Sequence, residues 1–332
     1  MDKKVIYSAA QPSVEWLTLG NYLGALKNWV KLGDDPAVDS IFAIADLHSV
    51  TVRQVPADLR RRTLSFVAQY IAMGLDPEKH LLYVQSHVSA HARLAWLLNC
   101  FTYVGEASRM TQFKEKSARH ADNINMGLMT YPILQAADIL LYGTHFVPVG
   151  EDQRQHIELT RDLAERFNNA YSPTFVVPEA YIQKAGAKIM DLQYPEKKMS
   201  KSTEAAGGSI FFGDTSAEII KKINRAVTDS DSEIKLSDEK PGIKNLLTIY
   251  SACRGIDILT AEAEFLGKSY AEFKKSVGEA VVDLFAPMQK EYQRLMADKA
   301  YLQQVLKDGA ERADYLSNKM LAKVMKKMGF NQ

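Results

Sequence analysis

Over its first 190 residues the chain alternates short apolar runs with longer segments of helical periodicity. A parallel sheet covered by helices on both sides accommodates that order. Val5 to Ala9, Ile41 to Ala45, Leu81 to Gln85 and His145 to Val149 read as strands. Leu19 to Lys31 reads as a helix with Leu23, Leu26 and Val30 on one face. Pro56 to Gly74 is opened by Pro and closed by Gly, as helices tend to be. His91 to Val104 reads as another helix. A further helix runs from Pro132 to Tyr142, with Tyr131 at its cap, and Glu151 to Phe167 has an acidic start that suits the helix dipole. Past Gly207-Gly208, which reads as a flexible joint, the strand signal nearly vanishes. Ile219, Ile220, Ile223 and Val227 mark one helical face; Leu246, Leu247, Ile249 and Tyr250 mark another. Val277 to Met296 reads as a long helix kinked at Pro287, and Ala310 to Met328, just after Gly309, as a last one. The expected organisation is α/β over residues 1–206 and all-helical over residues 207–332.

A chain of 332 residues with 46% hydrophobic content buries a core without disulfide or metal staples. Its net charge of +1 gives no global field to recruit a polyanion, so a nucleic-acid partner needs a local basic patch. Cys100 and Cys253 form neither a disulfide framework nor a metal-ligand spacing. The start Met1-Asp2-Lys3-Lys4 lacks a signal-peptide apolar stretch, and no run is long enough to span a membrane. A cytoplasmic location without membrane contact is expected.

Neither G-x-x-x-x-G-K-[ST] nor G-x-G-x-x-G occurs; Gly208 and Gly213 have the first spacing, but Asp214-Thr215 follows. Two other segments can hold phosphates. Gln11-Pro12-Ser13, then Gly20-Asn21, lie where a strand hands over to a helix, whose first N–H groups attract anions. Gly20 leaves room for a flat base, and Asn21 can bond to phosphate or ribose. Lys198-Met199-Ser200-Lys201-Ser202 packs two lysines and two serines into one loop. Lys198 and Lys201 can neutralise a leaving pyrophosphate. Alone, each segment reads equally as an ordinary turn or a solvated loop. Farther along, Tyr131, Gln135 and Asp138 share one helical face at i, i+4 and i+7 among apolar neighbours. A carboxylate there must be paired, with a helix end, an arginine or a ligand.

Taken together these segments resemble the class I aminoacyl-tRNA synthetases, and among them the bacterial tryptophanyl enzymes. Thr18-Leu19-Gly20-Asn21 matches that family's first signature and Lys198–Ser202 its second. The similarity continues through Gly105–Lys114, Tyr131–Tyr142, Val147–Gln153 with Gln155-His156, and Arg225–Ser230. It implies an α/β fold, a Rossmann-like doubly wound parallel sheet with a C-terminal all-helical domain whose last helix packs back on the catalytic part. It implies ATP contacts at Gln11, Pro12, Ser13, Gly20, Asn21, Gly150, Glu151, Asp152, Gln153, Ile189, Lys198, Met199, Ser200, Lys201 and Ser202. Lys114 and Lys116 fall in the family's mobile basic segment. Asp138 aligns with the acceptor of an indole N–H; Tyr131, Gln153 and Gln135 would hold the α-amino group. Tyr7 and Val149 would line the ring slot, with His48 nearby. The implied chemistry is ATP- and Mg²⁺-dependent activation of L-tryptophan to an adenylate, then transfer to tRNA(Trp), by a homodimer. Alternatives are a tyrosyl enzyme, whose matching helix also carries Tyr, Gln and Asp, and a paralogue that binds ATP or amino acid without charging tRNA.

The chain departs from the family at Val14-Glu15-Trp16-Leu17, one residue longer and lacking a Gly, so this loop is expected to bulge. After Ser202, Thr203 to Gly208 replaces the usual acidic and Asn residues. Many tryptophanyl enzymes carry Met where this chain has Gln135. Lys221, Lys222 and Arg225, and Arg60-Arg61-Arg62, read either as tRNA phosphate contacts or as solvated faces.

Overall fold

The computed structural model describes residues 3–114, 124–150, 153–181, 187–200 and 207–330. Strands β1 (Lys4–Ala10), β2 (Val38–Ile44), β3 (Leu81–Val84), β4 (Phe146–Pro148) and β5 (Glu179–Tyr181) form one sheet of order β3-β2-β1-β4-β5. All neighbouring pairs are parallel. The chain winds outward from β1 in one direction to β3, then returns to β1's other side with β4. This doubly wound order opens a crevice at the carboxyl ends of β1 and β4. The short β5 was not among the strands expected.

Strand periodicity divides the core into two layers. Phe42 and Ile44, with Leu82 and Val84, point into one apolar cluster; Ile41, Ala43, Leu81 and Tyr83 point into the other. The first layer is covered by helix α2 (Pro56–Ala72) and by the C-terminal helices α7 (Ser216–Asn224), α8 (Pro241–Arg254), α9 (Ile258–Glu264) and α10 (Tyr270–Ala297). The second is covered by α3 (Ala90–Asn99), α5 (Met126–Leu140) and α6 (Arg154–Ala170). Helix α1 starts at Leu19–Asn21, passes through a π-helical stretch Tyr22–Leu26 and ends as Lys27–Gly33. Thr18 and Asn21 close a reciprocal capping box at its start.

Several boundaries differ from the sequence reading. Helix α5 begins at Met126, because Asn125 caps it through Leu128 N and also donates to the Thr51 carbonyl. Pro132 therefore lies inside the helix rather than at its start, and Tyr131 is a helical residue. The expected helix over His91 to Val104 is two pieces: α3, and α4 (Val104–Arg109), which Glu106 caps back onto Tyr103 N. Helix α6 starts at Arg154. Helix α10 starts earlier, at a Ser269/Glu272 capping box, and runs past Pro287. Gly208 is a packing residue rather than a loose joint: an added Cβ would lie 2.4 Å from the Asp191 carboxylate.

Helix α11 (Lys299–Lys327) begins before Gly309, not after it. Its Leu302 joins the first apolar layer, and Ala313, Leu321 and Val324 join the second. The helix thus crosses the sheet edge and covers β3, which would otherwise offer unpaired backbone groups. Gly309 marks the crossing: an added Cβ would sit 1.9 Å from the Leu82 carbonyl oxygen. In an ordinary helix interior Gly→Ala gains roughly 0.5–1 kcal/mol. Here the clash is with backbone, and overpacking costs about 1–3 kcal/mol. Gly309→Ala should therefore lower the unfolding midpoint by several degrees, whereas exposed Lys307→Ala should leave it nearly unchanged. Thermal unfolding followed by circular dichroism checks both, and a stabilised Gly309→Ala would contradict the close approach.

Candidate active site

A cavity of about 360 Å³ opens at the carboxyl ends of β1, β2 and β4, where the doubly wound order places a crevice. Tyr7, Ser8, Ala9 and Gln11 come to it from β1, Ala45 and His48 from the end of β2, and Val147 to Gly150 from β4. Helix α5 contributes Tyr131, Gln135 and Asp138, the three residues spaced to share a face. Gln112, Gln153 and Lys198 also line the cavity, with Trp29, Thr51 and Ile139.

Asp138 is 1% exposed. Its Oδ1 accepts from His91 Nδ1 at 2.6 Å and its Oδ2 from His48 Nε2 at 3.0 Å; Gln85 Nε2 reaches both oxygens, at 2.7 and 2.8 Å. Burial pushes the carboxyl upward, but His91 and His48 outweigh it and hold the group at about 2. The acid is therefore ionised, satisfied and on the cavity wall, the state needed to accept a further N–H. Tyr7, its ring stacked on Tyr142, has its hydroxyl pKa raised by burial and by the nearby Asp138 charge. Tyr131 Oη meets His156 Nε2 at 3.0 Å and donates to Gln112 Oε1 at 3.2 Å. Gln135 Nε2 donates to Gln153 Oε1 at 3.4 Å, bridging α5 to the cap of α6.

The two distant signatures meet. A Cβ added to Gly20 would lie 3.3 Å from Met199 Cβ and 3.7 Å from Ile189 Cβ. Residues 189–199 form a hairpin, with Met190 bridged to Lys198, Met199 N donating to Ile189 O and Asp191 N to Lys197 O. Thr18 pairs with Phe211 beyond the loop, and Leu19 N donates to Ile210 O. The turn before α1 is thus clamped between the chain entering and the chain leaving the lysine-serine segment. Ile189 and Met199 are buried, while Lys198 and Ser200 are exposed.

Tyr7, Gln11, His48, Tyr131, Gln135, Asp138, Val149, Gly150, Gln153 and Lys198 all line the one cavity. Pro12, Ser13, Gly20, Asn21, Ile189, Met199 and Ser200 lie outside its lining. Asn21 Oδ1 is committed to the helix cap, accepting from Thr18 N. Lys114 is exposed at the end of the described 3–114 segment. Lys116, Glu151, Asp152, Lys201 and Ser202 lie outside the described residues. The loop expected to bulge bends at Val14 to Trp16, and among the described residues no non-glycine has a positive φ. Arg62 donates to the Ser13 carbonyl at 2.7 Å, Gln69 to that of Glu15 at 3.0 Å, and Leu17 N to Gln69 Oε1 at 2.9 Å. This loop is held by hydrogen bonds with α2. Sequence reasoning missed Gln85 and His91; the position of Gln85 directly after β3, at a strand's carboxyl end, was the available signal.

The profile of the class I tRNA synthetases (W and Y) matches residues 2–286. The chain belongs to this family. It is similar to the tryptophan–tRNA ligase of Clostridium tetani, at 56% identity over 329 residues, 99% of this chain and 96% of that protein. Tryptophanyl-tRNA synthetase from Mycoplasma pneumoniae shares the fold with a TM-score of 0.89 at 34% identity, covering 100% of this chain and 99% of that one. Tryptophanyl-tRNA synthetase from Campylobacter jejuni, solved in complex with ADP and tryptophan, gives a TM-score of 0.86 at 30% identity over 98% of this chain and 100% of that one.

Members of this family work with ATP, so the metal question concerns its phosphates. Among the described residues no group of three His, Cys, Asp or Glu side chains could hold a metal ion.

The Asp138 carboxyl, held at about 2 against its ordinary 3.8, contributes stability that is full above pH ~4 and lost as pH falls through about 2. That gap is worth roughly 2 kcal/mol, about half of it gone by pH 3. Between pH 6 and pH 3, urea unfolding should show the wild type losing about 1 kcal/mol more than Asp138→Asn. Parallel pH profiles would contradict the depressed carboxyl.

Proposed function

We propose that this chain is a tryptophan–tRNA ligase. It activates L-tryptophan with ATP, then transfers the tryptophanyl group to the 3′-terminal ribose of tRNA(Trp). One observation carries this reading: a single cavity holds both the buried, ionised Asp138 and Lys198 of the second signature. The tryptophan carboxylate attacks the α-phosphorus of ATP and pyrophosphate leaves; a ribose hydroxyl of the tRNA then displaces AMP from the adenylate. No side chain need form a covalent bond. The protein positions the two reactants and stabilises charge on the leaving group, where most of the rate is gained.

In this reading Asp138 Oδ2 accepts the indole N–H. A hydrogen bond to a charged group contributes about 1.5–3 kcal/mol net, and a phenyl ring cannot make it. Tyr131, Gln135 and Gln153 hold the α-amino group, and Tyr7 and Val149 flank the ring. Gln11, Gly20, Asn21, Gly150 and Ile189 receive the adenosine, with Pro12, Ser13, Glu151, Asp152, Met199 and Ser200 around it. Lys198, Lys201, Ser202, Lys114 and Lys116 face the phosphates, with Mg²⁺ arriving on the nucleotide. ATP–pyrophosphate exchange tests the reading: it should depend on tryptophan and not on tyrosine, and total tRNA should then be charged. Asp138→Ala should raise the KM for tryptophan at least about tenfold with little change for ATP, whereas Lys198→Ala should cut the exchange rate by about 10²–10³. Unchanged tryptophan kinetics in Asp138→Ala would remove the acid from the pocket.

Residues 207–332 form the unit that meets the anticodon. Arg61 is engaged by Glu15 and Asp58, Arg62 by the Ser13 carbonyl and Gln54, and Lys222 by Asp214. These cations serve the fold, leaving exposed Arg60, Lys221 and Arg225 as the better candidates for phosphate contact. The enzyme acts in the cytoplasm; among the described residues no helix is long and apolar enough to cross a membrane. It works as a homodimer. Support comes from Trp96, Tyr103 and Val104, large apolar side chains exposed by 69, 67 and 74% within nine residues of chain, and from Met126 at the start of α5, exposed by 70%. Val104→Glu combined with Trp96→Glu should convert a dimer to a monomer in analytical ultracentrifugation, and a wild type that is already monomeric would refute the dimer.

A further inference from the structure

Three side chains donate to Asp138, and they differ in where they stand. His48 lines the cavity, with 12% of its side chain exposed. Gln85 and His91 are fully buried behind the carboxylate. Gln85 Nε2 spans both oxygens nearly symmetrically, at 2.7 and 2.8 Å, so it cannot by itself decide which oxygen faces the ligand. His91 is one-sided: its Nδ1 reaches Oδ1 alone, at 2.6 Å. A carboxylate only accepts, so Nδ1 carries the hydrogen. On the far side, Nε2 meets the hydroxyls of Tyr83 and Tyr142 at 3.0 and 3.1 Å, and the ring stacks on Tyr83 with centroids 5.7 Å apart. The imidazole is thus fixed on both edges and on one face.

We infer that His91 is a positioning residue for amino-acid selection: by engaging Oδ1 from behind, it turns Oδ2 of Asp138 toward the cavity, where a ligand N–H joins or displaces His48. The inference rests on the tryptophan reading of the site. It assigns specificity to a residue that touches no substrate, acting through a side chain that does. Without His91 the acid keeps Gln85 and, on the ligand side, His48 on Oδ2, but loses the only one-sided contact that holds it from behind. An indole N–H then meets an acceptor that is no longer held in one orientation.

The test compares tryptophan with benzothienylalanine, the analogue in which sulfur replaces the indole N–H. KM and kcat in ATP–pyrophosphate exchange are measured for wild type, His91→Phe and His91→Asn, the last keeping a donor near the position of Nδ1. His91→Phe should raise the KM for tryptophan roughly tenfold and that for the analogue less than about twofold, at similar kcat. His91→Asn should recover most of the tryptophan affinity. Equal penalties on both ligands, no penalty on either, or no recovery with Asn would overturn the inference. If His91→Phe does not fold, the double variant Tyr83→Phe/Tyr142→Phe, which releases the far edge of the imidazole, must lower the tryptophan-to-analogue ratio at least about twofold; an unchanged ratio overturns it. A wild type that activates tryptophan in neither exchange nor charging would instead refute the functional reading. A wild type that uses both ligands equally would refute Asp138 as the acceptor and this inference with it.

Discussion

A carboxylate sealed from water is costly unless its lone pairs are filled, and Asp138 meets that requirement by gathering donors from separate elements. His48 follows β2, Gln85 follows β3, His91 lies on α3, and the acid itself lies on α5. The hydrogen bonds can all be made only if these elements meet in one arrangement. The network therefore fixes the position of α5 above the carboxyl ends of the strands, and with it the face bearing Tyr131 and Gln135. Removing one donor would leave the others in place while loosening the geometry. Removing the acid would strand a donor set that nothing else in the apolar layer can satisfy.

The meeting of the two signatures depends on close approach rather than charge. Gly20 permits contact with Met199 because it carries no side chain, and that contact holds the start of α1 beside the hairpin that carries Lys198. Cationic side chains are long and mobile, so their aim depends on the backbone that carries them. Here that backbone is pinned on both sides, through Met199 N to Ile189 O and through Ser209 Oγ to the Ser200 carbonyl.

Much of this was legible in sequence because strand and helix periods are physical periods. The alternation of Ile41 to Ile44 and Leu81 to Val84 across two layers required only that side chains point to opposite faces. The spacing of Tyr131, Gln135 and Asp138 put them on one helical face whether the helix began at Pro132 or at Met126. The start of α5 was misread at Pro132, although Asn125 carries a local cap signal, its side chain accepting from Leu128 N; its bond to the Thr51 carbonyl adds a tertiary tie that no local pattern reports. Gly309 read as a helix boundary by propensity, yet it exists to let α11 touch β3, a constraint set by a strand more than 200 residues away in sequence. His91 was invisible as a site residue for a similar reason. On α3 it reads as one polar residue on a mixed helix, and only the fold brings it within 2.6 Å of Asp138.

The loop at Val14 to Leu17 is held from the helical region as well. Trp16 packs edge-on against Tyr292 of α10 and near Phe212, and Gly213 has no side chain because the indole occupies that space. Gln289 of α10 donates to the carbonyls of Phe212 and Asp214, and Asn245 of α8 holds Met190 through both its N–H and its carbonyl. The C-terminal helices therefore hold the first-signature loop and the base of the second-signature hairpin at the same time. A shift of α8 or α10 against the sheet would move both signatures together. Contacts of this kind join the helical region to both signatures through hydrogen bonds and aromatic edges, so that neither signature can be displaced without the helices that hold it.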